Sequence, residues 1–251
     1  MRRILTAAAA VALLVTGVTE AKSTSLSADD YIPPVLGGIY GVGANGPGSY
    51  AVLIDVHAIK KDPARPSGGT ANCSNAQPSN GGYALTGWQV ASALTAHLTV
   101  STVPSSLGSV TAAMQSSWNA WPYAPRVTVA NDGTVTRYTA NRSYDLLFGR
   151  TGGSLATTYT WRWNDGTVES DTVFDTGVTW FQAASEGDGC IETAGNKYDV
   201  ANIATHEFGH SYGLDHPAGD RFETMYAYGY SGETLKRSPS TGDSAGANAL
   251  Y

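Results

Sequence analysis

Three histidines and a glutamate carry the chemistry this chain could do. They sit together in His206-Glu207-Phe208-Gly209-His210-Ser211-Tyr212-Gly213-Leu214-Asp215-His216. On a helix, His206 and His210 are four residues apart, so their rings leave one face a turn apart. Two imidazoles so placed can chelate one borderline-soft cation, with Glu207 beside the first of them. Gly213 can take a positive φ, end the helix and turn the chain back. That turn can return His216 to the same point as a third nitrogen ligand. Three histidines leave one tetrahedral position for water, the layout of a catalytic rather than a structural zinc site. A surface helix with coincidental histidines is the plain alternative, and the complete run of fixed letters weighs against it.

These residues need a frame. Asp199 is placed to cap a helix from Val200 through Tyr212. Upstream, Leu94 to Val103 alternates as a strand, and Ser105 to Trp121 reads as an amphipathic helix capped by Ser105 or Ser106, with Leu107, Val110, Met114 and Trp118 on one face. Arg126 to Ala130 and Tyr144 to Phe148 are short strand candidates. Thr157 to Trp163 and Val168 to Phe174 read as strands joined across Asn164-Asp165-Gly166, and Asn131 to Gly133 reads as a second tight hairpin. A last helix fits Asp243 to Leu250. The expected class is α+β: a mixed twisted sheet with an active-site helix, a second long helix and a C-terminal helix packed on it.

The chain has 251 residues, a net charge of −6 and only 14% charged residues, with a pI near 5.3. That balance argues against nucleic acid or an anionic membrane as the main partner. Met1-Arg2-Arg3 and the apolar run from Ile4 to Val18 read as a secretory signal peptide, with cleavage after Ala21. The run is short for a membrane span, and no cysteine precedes Cys73, so export without a membrane anchor is expected. Residues 22–81 read as an N-terminal segment, either a removed propeptide or an extension packed on the main domain. Tyr50 to Ile59 is its one convincing strand, followed by an exposed linker from Lys60 to Gly69. The main domain is expected over 82–251. Two cysteines in an exported chain suggest one disulfide, Cys73–Cys190; the alternative is that Cys73 ligates the zinc in a latent form.

The motif resembles that of the metzincin metallopeptidases, H-E-x-x-H-x-x-G-x-x-H followed by a methionine turn. All five fixed positions match, and Met225 follows in Glu223-Thr224-Met225-Tyr226. By resemblance, Met225 forms the apolar floor beneath the metal. The element order and the closing Gly242 to Tyr251 are similar to a matrixin catalytic domain. The resemblance implies one catalytic Zn2+, Glu207 as general base, and protein or peptide substrates lying along the Thr157–Trp163 edge. It also implies a pocket walled by the segment after Met225, with Tyr226, Tyr228 and Tyr230 as candidates, and Asp243 as an anchor for a processed N-terminus; the plain alternatives are a buried–exposed strand pattern for the tyrosines and helix capping for Asp243. Trp161 and Trp163 are read as ordinary sheet aromatics. Ca2+ is common in such domains, but Glu169-Ser170-Asp171 and Glu186-Gly187-Asp188 are spaced unlike an EF-hand loop.

Two departures stand out. A second, structural zinc would need three more histidines, and only His57 and His97 remain. Pro217 follows the third ligand as in serralysins, yet no Gly-Gly-x-Gly-x-Asp repeat is present. The resemblance implies a secreted zinc metalloendopeptidase. The alternatives are an exported metzincin-fold binding protein without turnover and a zinc hydrolase acting on non-peptide amides. Nothing in the sequence bears on oligomeric state.

Overall fold

The structure is a computed structural model and describes residues 39–40, 49–61 and 81–251, apart from 188, 192, 193, 219 and 220. The expected signal peptide, the linker beyond Lys61, and Cys73 lie outside the described residues.

Among the described residues, twelve strands and three α-helices follow one another in the order β1 (Ile39–Tyr40), β2 (Ala51–Lys61), β3 (Ala84–Leu85), β4 (Leu94–Leu98), α1 (Thr111–Asn119), β5 (Val127–Ala130), β6 (Tyr144–Gly149), β7 (Ala156–Trp163), β8 (Val168–Asp175), β9 (Thr179–Phe181), β10 (Lys197–Asp199), α2 (Val200–Tyr212), β11 (Leu214–Asp215), β12 (Tyr228–Gly229) and α3 (Thr241–Leu250). The main sheet runs β1-β2-β7-β8-β6-β4-β5, with β12 also paired to β2. Strands β5, β4, β6 and β8 are mutually parallel. β7 and then β2 join antiparallel. This is the expected α+β architecture.

One face of the sheet carries all three helices. Met114 and Trp118 of α1, Ile203 and Phe208 of α2 and Ala247 of α3 share a core with Leu146, Phe148 and Phe174 of the strands. Period-two alternation aims those strand residues at the helices and their neighbours away. Trp118 stacks on Phe208 at 4.1 Å between ring centroids, a pair worth about 0.5–1.5 kcal/mol beyond its buried area.

The opposite face has a smaller core of Leu147, Tyr159, Trp161, Trp163 and Val173, with Ala140 from the loop before β6. Trp161 and Trp163 therefore point away from α2 and are sheet aromatics, as expected. Beside them lie three buried carboxylates, Asp145, Glu169 and Asp171. Asp171 accepts from the backbone N–H of Thr139 at 2.8 Å and of Asp145 at 3.1 Å. Glu169 accepts from Asn141 N and Trp163 Nε1, both at 2.7 Å.

Several boundaries differ from expectation. The strand from Leu94 stops at Leu98 and passes into a 3-10 turn at Val100–Thr102. The first helix begins only at Thr111, because Gly108 takes φ 64° after a separate 3-10 turn at Ser105–Leu107. Neither Ser105 nor Ser106 caps it; the capping position is Val110, with no side-chain bond. Asn131 to Gly133 makes no hairpin, since β5 pairs in parallel with β4. Gly133 instead folds onto the end of β4, donating to Leu98 O at 3.2 Å, so close that a Cβ would sit 2.6 Å from Thr99 N. Lys60 and Lys61 belong to β2 rather than to a linker.

Candidate metal centre and cleft

Helix α2 spans Val200–Tyr212, as the sequence predicts. Asp199 accepts from Asn202 N at 2.9 Å, satisfying one of the N–H groups a helix start leaves open. Arg237 holds the same carboxylate from the other side, at 2.6 and 2.8 Å. At the far end Gly213 is left-handed, with φ 107°, and its N–H returns to Gly209 and His210. A side chain there would overlap the carbonyl of Trp88 as well as straining the backbone. Beyond it, β11 pairs with β3 and turns His216 back towards the helix.

The three Nε2 atoms of His206, His210 and His216 form a triangle with sides of 3.1–3.2 Å. A zinc ion with bonds of 2.0–2.1 Å to tetrahedral nitrogens needs edges of roughly 3.3 Å. The donor chemistry fits as well. His206 Nδ1 donates to Thr224 O at 2.6 Å and His210 Nδ1 to Leu214 O at 2.8 Å, so each presents an unprotonated Nε2 inward. Burial, and then the buried Lys236 ammonium, lower His206 to about 3. Burial and neighbouring imidazoles push His210 and His216 well below their usual value. All three are held neutral, the state a metal ligand needs.

Met225 lies buried beneath α2. A Cβ at Gly209 would overlap its sulfur and would also run into Trp121, so the helix comes this close only because that residue is glycine. The methionine turn is fixed from below. Asp243 accepts from Thr224 N and from Met225 N at 3.0 Å, and also closes a capping box with Ser240 at the start of α3. Capping, one of the two readings of Asp243, is thus observed, together with a hold on the turn that the sequence did not suggest.

Glu207 is wholly buried next to this triangle. Its Oε2 accepts from the Thr158 hydroxyl at 2.7 Å and its Oε1 from Ile59 N at 3.2 Å. Burial raises its pKa to about 7, against those hydrogen bonds. Tyr226 and Tyr228 follow the turn, their rings 5.5 Å apart. Lys236 Nζ stands 5.5 Å from the Tyr226 ring and donates to Glu223 O at 3.2 Å.

One histidine here was not expected. His57, on β2, stacks on His210 with ring centroids 4.2 Å apart. A grouping of His57 with His210 and His216 has nitrogens up to 4.8 Å apart. That is too wide for one tetrahedral ion, so the triangle with His206 is the better metal site. His57 is engaged instead with Asp55 at 2.8 Å and Asp215 at 3.5 Å. Burial opposes its protonation, but these carboxylates outweigh that and raise its pKa. No spacing rule links residue 57 to residue 210, so the sequence held no signal for it. His97 is remote from the cluster and bonds Asp132 at 2.7 Å.

The family model for matrixin, among the M10 peptidases, matches residues 94–251. The chain belongs to the matrixin family. No curated protein matches it significantly. The match makes this a metallopeptidase-family domain, and a matrixin domain implies a catalytic zinc. Strands β7 and β12 both pair with β2. Between them runs β2, antiparallel to β7 and parallel to β12. Of the remaining sequence expectations, Cys190 forms a backbone bridge with Glu233, while its expected partner Cys73 lies outside the described residues. Among the described residues, no helix is long and apolar enough to cross a membrane.

Proposed function

We propose that this chain is an exported zinc-dependent endopeptidase, in which His206, His210 and His216 hold the zinc and Glu207 is the general base. The observation that supports it best is the Nε2 triangle with a buried carboxylate on the adjoining residue. Zinc bound there supplies Lewis acidity, lowering the pKa of a water and polarising a substrate carbonyl. Glu207 takes the proton of the attacking water and delivers it to the leaving amine. The Thr158 hydroxyl orients that carboxylate through its 2.7 Å bond. Thr224 O and Leu214 O hold the His206 and His210 rings in the tautomer that keeps Nε2 free. Met225 supplies an apolar floor. The Thr157–Trp163 strand expected as an open edge is paired with β2, so a protein or peptide substrate adds a strand along β7 through backbone hydrogen bonds once β2 gives way. Tyr226 and Tyr228 wall its side-chain pocket.

The reading extends to the rest of the chain: residues 1–21 as a removed signal peptide, 22–81 as an N-terminal segment, 82–251 as the catalytic domain, and Cys73–Cys190 as a disulfide. Metal content and casein cleavage of the exported protein, wild type beside Glu207→Ala, test the centre. One zinc in each, with cleavage by wild type only and lost on chelation, is expected. Absence of zinc from both would remove the three histidines as ligands. Mass analysis of the exported chain, reduced and unreduced, checks the leader and the disulfide.

A further inference from the structure

The matrixin match begins at residue 94, yet a strand from well upstream pairs with β7 and β12. Strand β2 lies antiparallel to β7 from Ala51↔Trp163 to Ile59↔Ala156, and its last residues lie parallel to β12 through Lys60↔Tyr228 and Lys61↔Gly229. Lys60 N donates to Ala227 O at 2.9 Å. A segment held on both sides in this way has the backbone contacts that an extended peptide would make on adding to the β7 edge.

Its side chains are placed accordingly. Asp55, His57 and Ile59 alternate towards the helix face, opposite Thr160, Thr158 and Ala156. His57 covers the His210 ring. Ile59 is wholly buried in the main core, and its terminal methyl converges with those of Leu155 and Ile203 on Gly229, where a Cβ would meet all three within 2.9–3.3 Å. Ile59 N also donates to Glu207 Oε1. The nitrogen of the Ala58–Ile59 peptide thus lies against the carboxylate that would protonate a leaving amine.

We propose that β2 is an internal occupant of the substrate cleft, a pseudosubstrate that presents Ala58–Ile59 at the reacting position and keeps the cleft closed to other peptides. The pseudosubstrate role deepens the peptidase reading and rests on it. Occupancy of the cleft does not depend on it. Ile59 is the anchor, since its side chain fills the apolar pocket under β12, and the backbone ladder does the rest. Any competing peptide must present an extended segment with an aliphatic side chain at the Ile59 position.

The test uses the full chain, zinc-loaded, with Ile59→Asp and the gentler Ile59→Ala. Three quantities are read: hydrogen exchange of β7 amides, binding of a labelled peptide with the sequence of Ala51–Lys61, and casein cleavage. In Ile59→Asp the β7 amides are expected to exchange faster while those of β6 stay protected. The labelled peptide is expected to bind the variant and not the wild type, and cleavage to rise at least about tenfold as the open form gains population. Ile59→Ala is expected to move all three in the same direction by less. Peptide binding and faster β7 exchange with no cleavage by any form would support the occupant and overturn the peptidase reading. A variant that melts cooperatively yet neither binds the peptide nor changes β7 exchange would overturn the proposal. If Ile59→Asp does not fold, Ile59→Ala decides: a fall in cleavage together with melting temperature, with no peptide binding, would make β2 an ordinary edge strand.

Discussion

Two clusters of buried ionisable groups lie on opposite faces of the same sheet, and they are built on opposite plans. On the helix face, His206, His210 and His216 direct three Nε2 atoms at one another, while the two helix histidines use Nδ1 to bond carbonyls. On the other face, the carboxylates of Asp171 and Glu169 accept hydrogen bonds on both oxygens, chiefly from backbone N–H groups, and Asp145 accepts from Asn141 Nδ2 at 2.7 Å. Burial alone does not separate a site from a structural network. What separates them is where the lone pairs go: three converge on one point, the arrangement a cation's donors need, whereas lone pairs spent on the chain's own donors pin a loop. The 131–143 segment, which makes no hairpin of its own, is tied down by that second cluster.

The largest expected effect tests the first cluster. Glu207→Ala should lower cleavage by about 10²- to 10⁴-fold, while elemental analysis still finds one zinc per chain; loss of the metal as well would mean that the carboxylate helps hold it. Next, zinc at a thousandfold excess over its dissociation constant should stabilise the wild type by about 4 kcal/mol. Calorimetry with and without chelator reads this, and His210→Ala should show no response to zinc. Asp171→Ala should cost about 2–4 kcal/mol by leaving Thr139 N and Asp145 N without acceptors. Its zinc content should match wild type; a variant that loses zinc would show the two faces to be coupled.

The smallest effect is a pH signature of opposite sign on the two faces. Burial raises Glu169 to about 7, and it holds Asp171 well above the carboxylate range. Groups raised on folding contribute stability fully below their unfolded pKa, and that contribution is lost as pH climbs through the folded value. Glu169 should therefore cost stability as pH rises from its ordinary 4.5 to about 7, and Glu169→Gln should flatten that decline in chemical denaturation. The histidines of the metal-free protein are depressed instead, His206 to about 3. Their contribution is present above the unfolded value and is lost as pH falls towards the folded one. Zinc loading should suppress this acid-side loss and leave the Glu169 side untouched.

Particular residues show how much was legible beforehand. The helix of the motif, its Asp199 cap, the Gly213 stop and the β7–β8 hairpin were all readable, because each depends on neighbours within a few positions. Gly108 broke the long helix prediction, since apolar spacing from Leu107 to Trp118 cannot show that a residue between them takes a positive φ. Asn131-Asp132-Gly133 carried a hairpin's letters but no pairing partner, for the next strand lies beyond β4 in the sheet. Asp243 was readable as a cap; its grip on Thr224 and Met225 was not.

The sequence by itself determined the donor set, its helical spacing and the family those imply, because metal chelation by i, i+4 histidines and a glycine turn is local geometry. Only the tertiary structure decided that the edge of β7 is filled by residues 51–61, that His57 stacks on His210, and that Ile59 reaches the pocket beneath Gly229. Those contacts join positions far apart in the chain, from Ile59 and Ala156 to Ile59 and Gly229, and strand alternation marks which side chains share a face without saying which strand they will face.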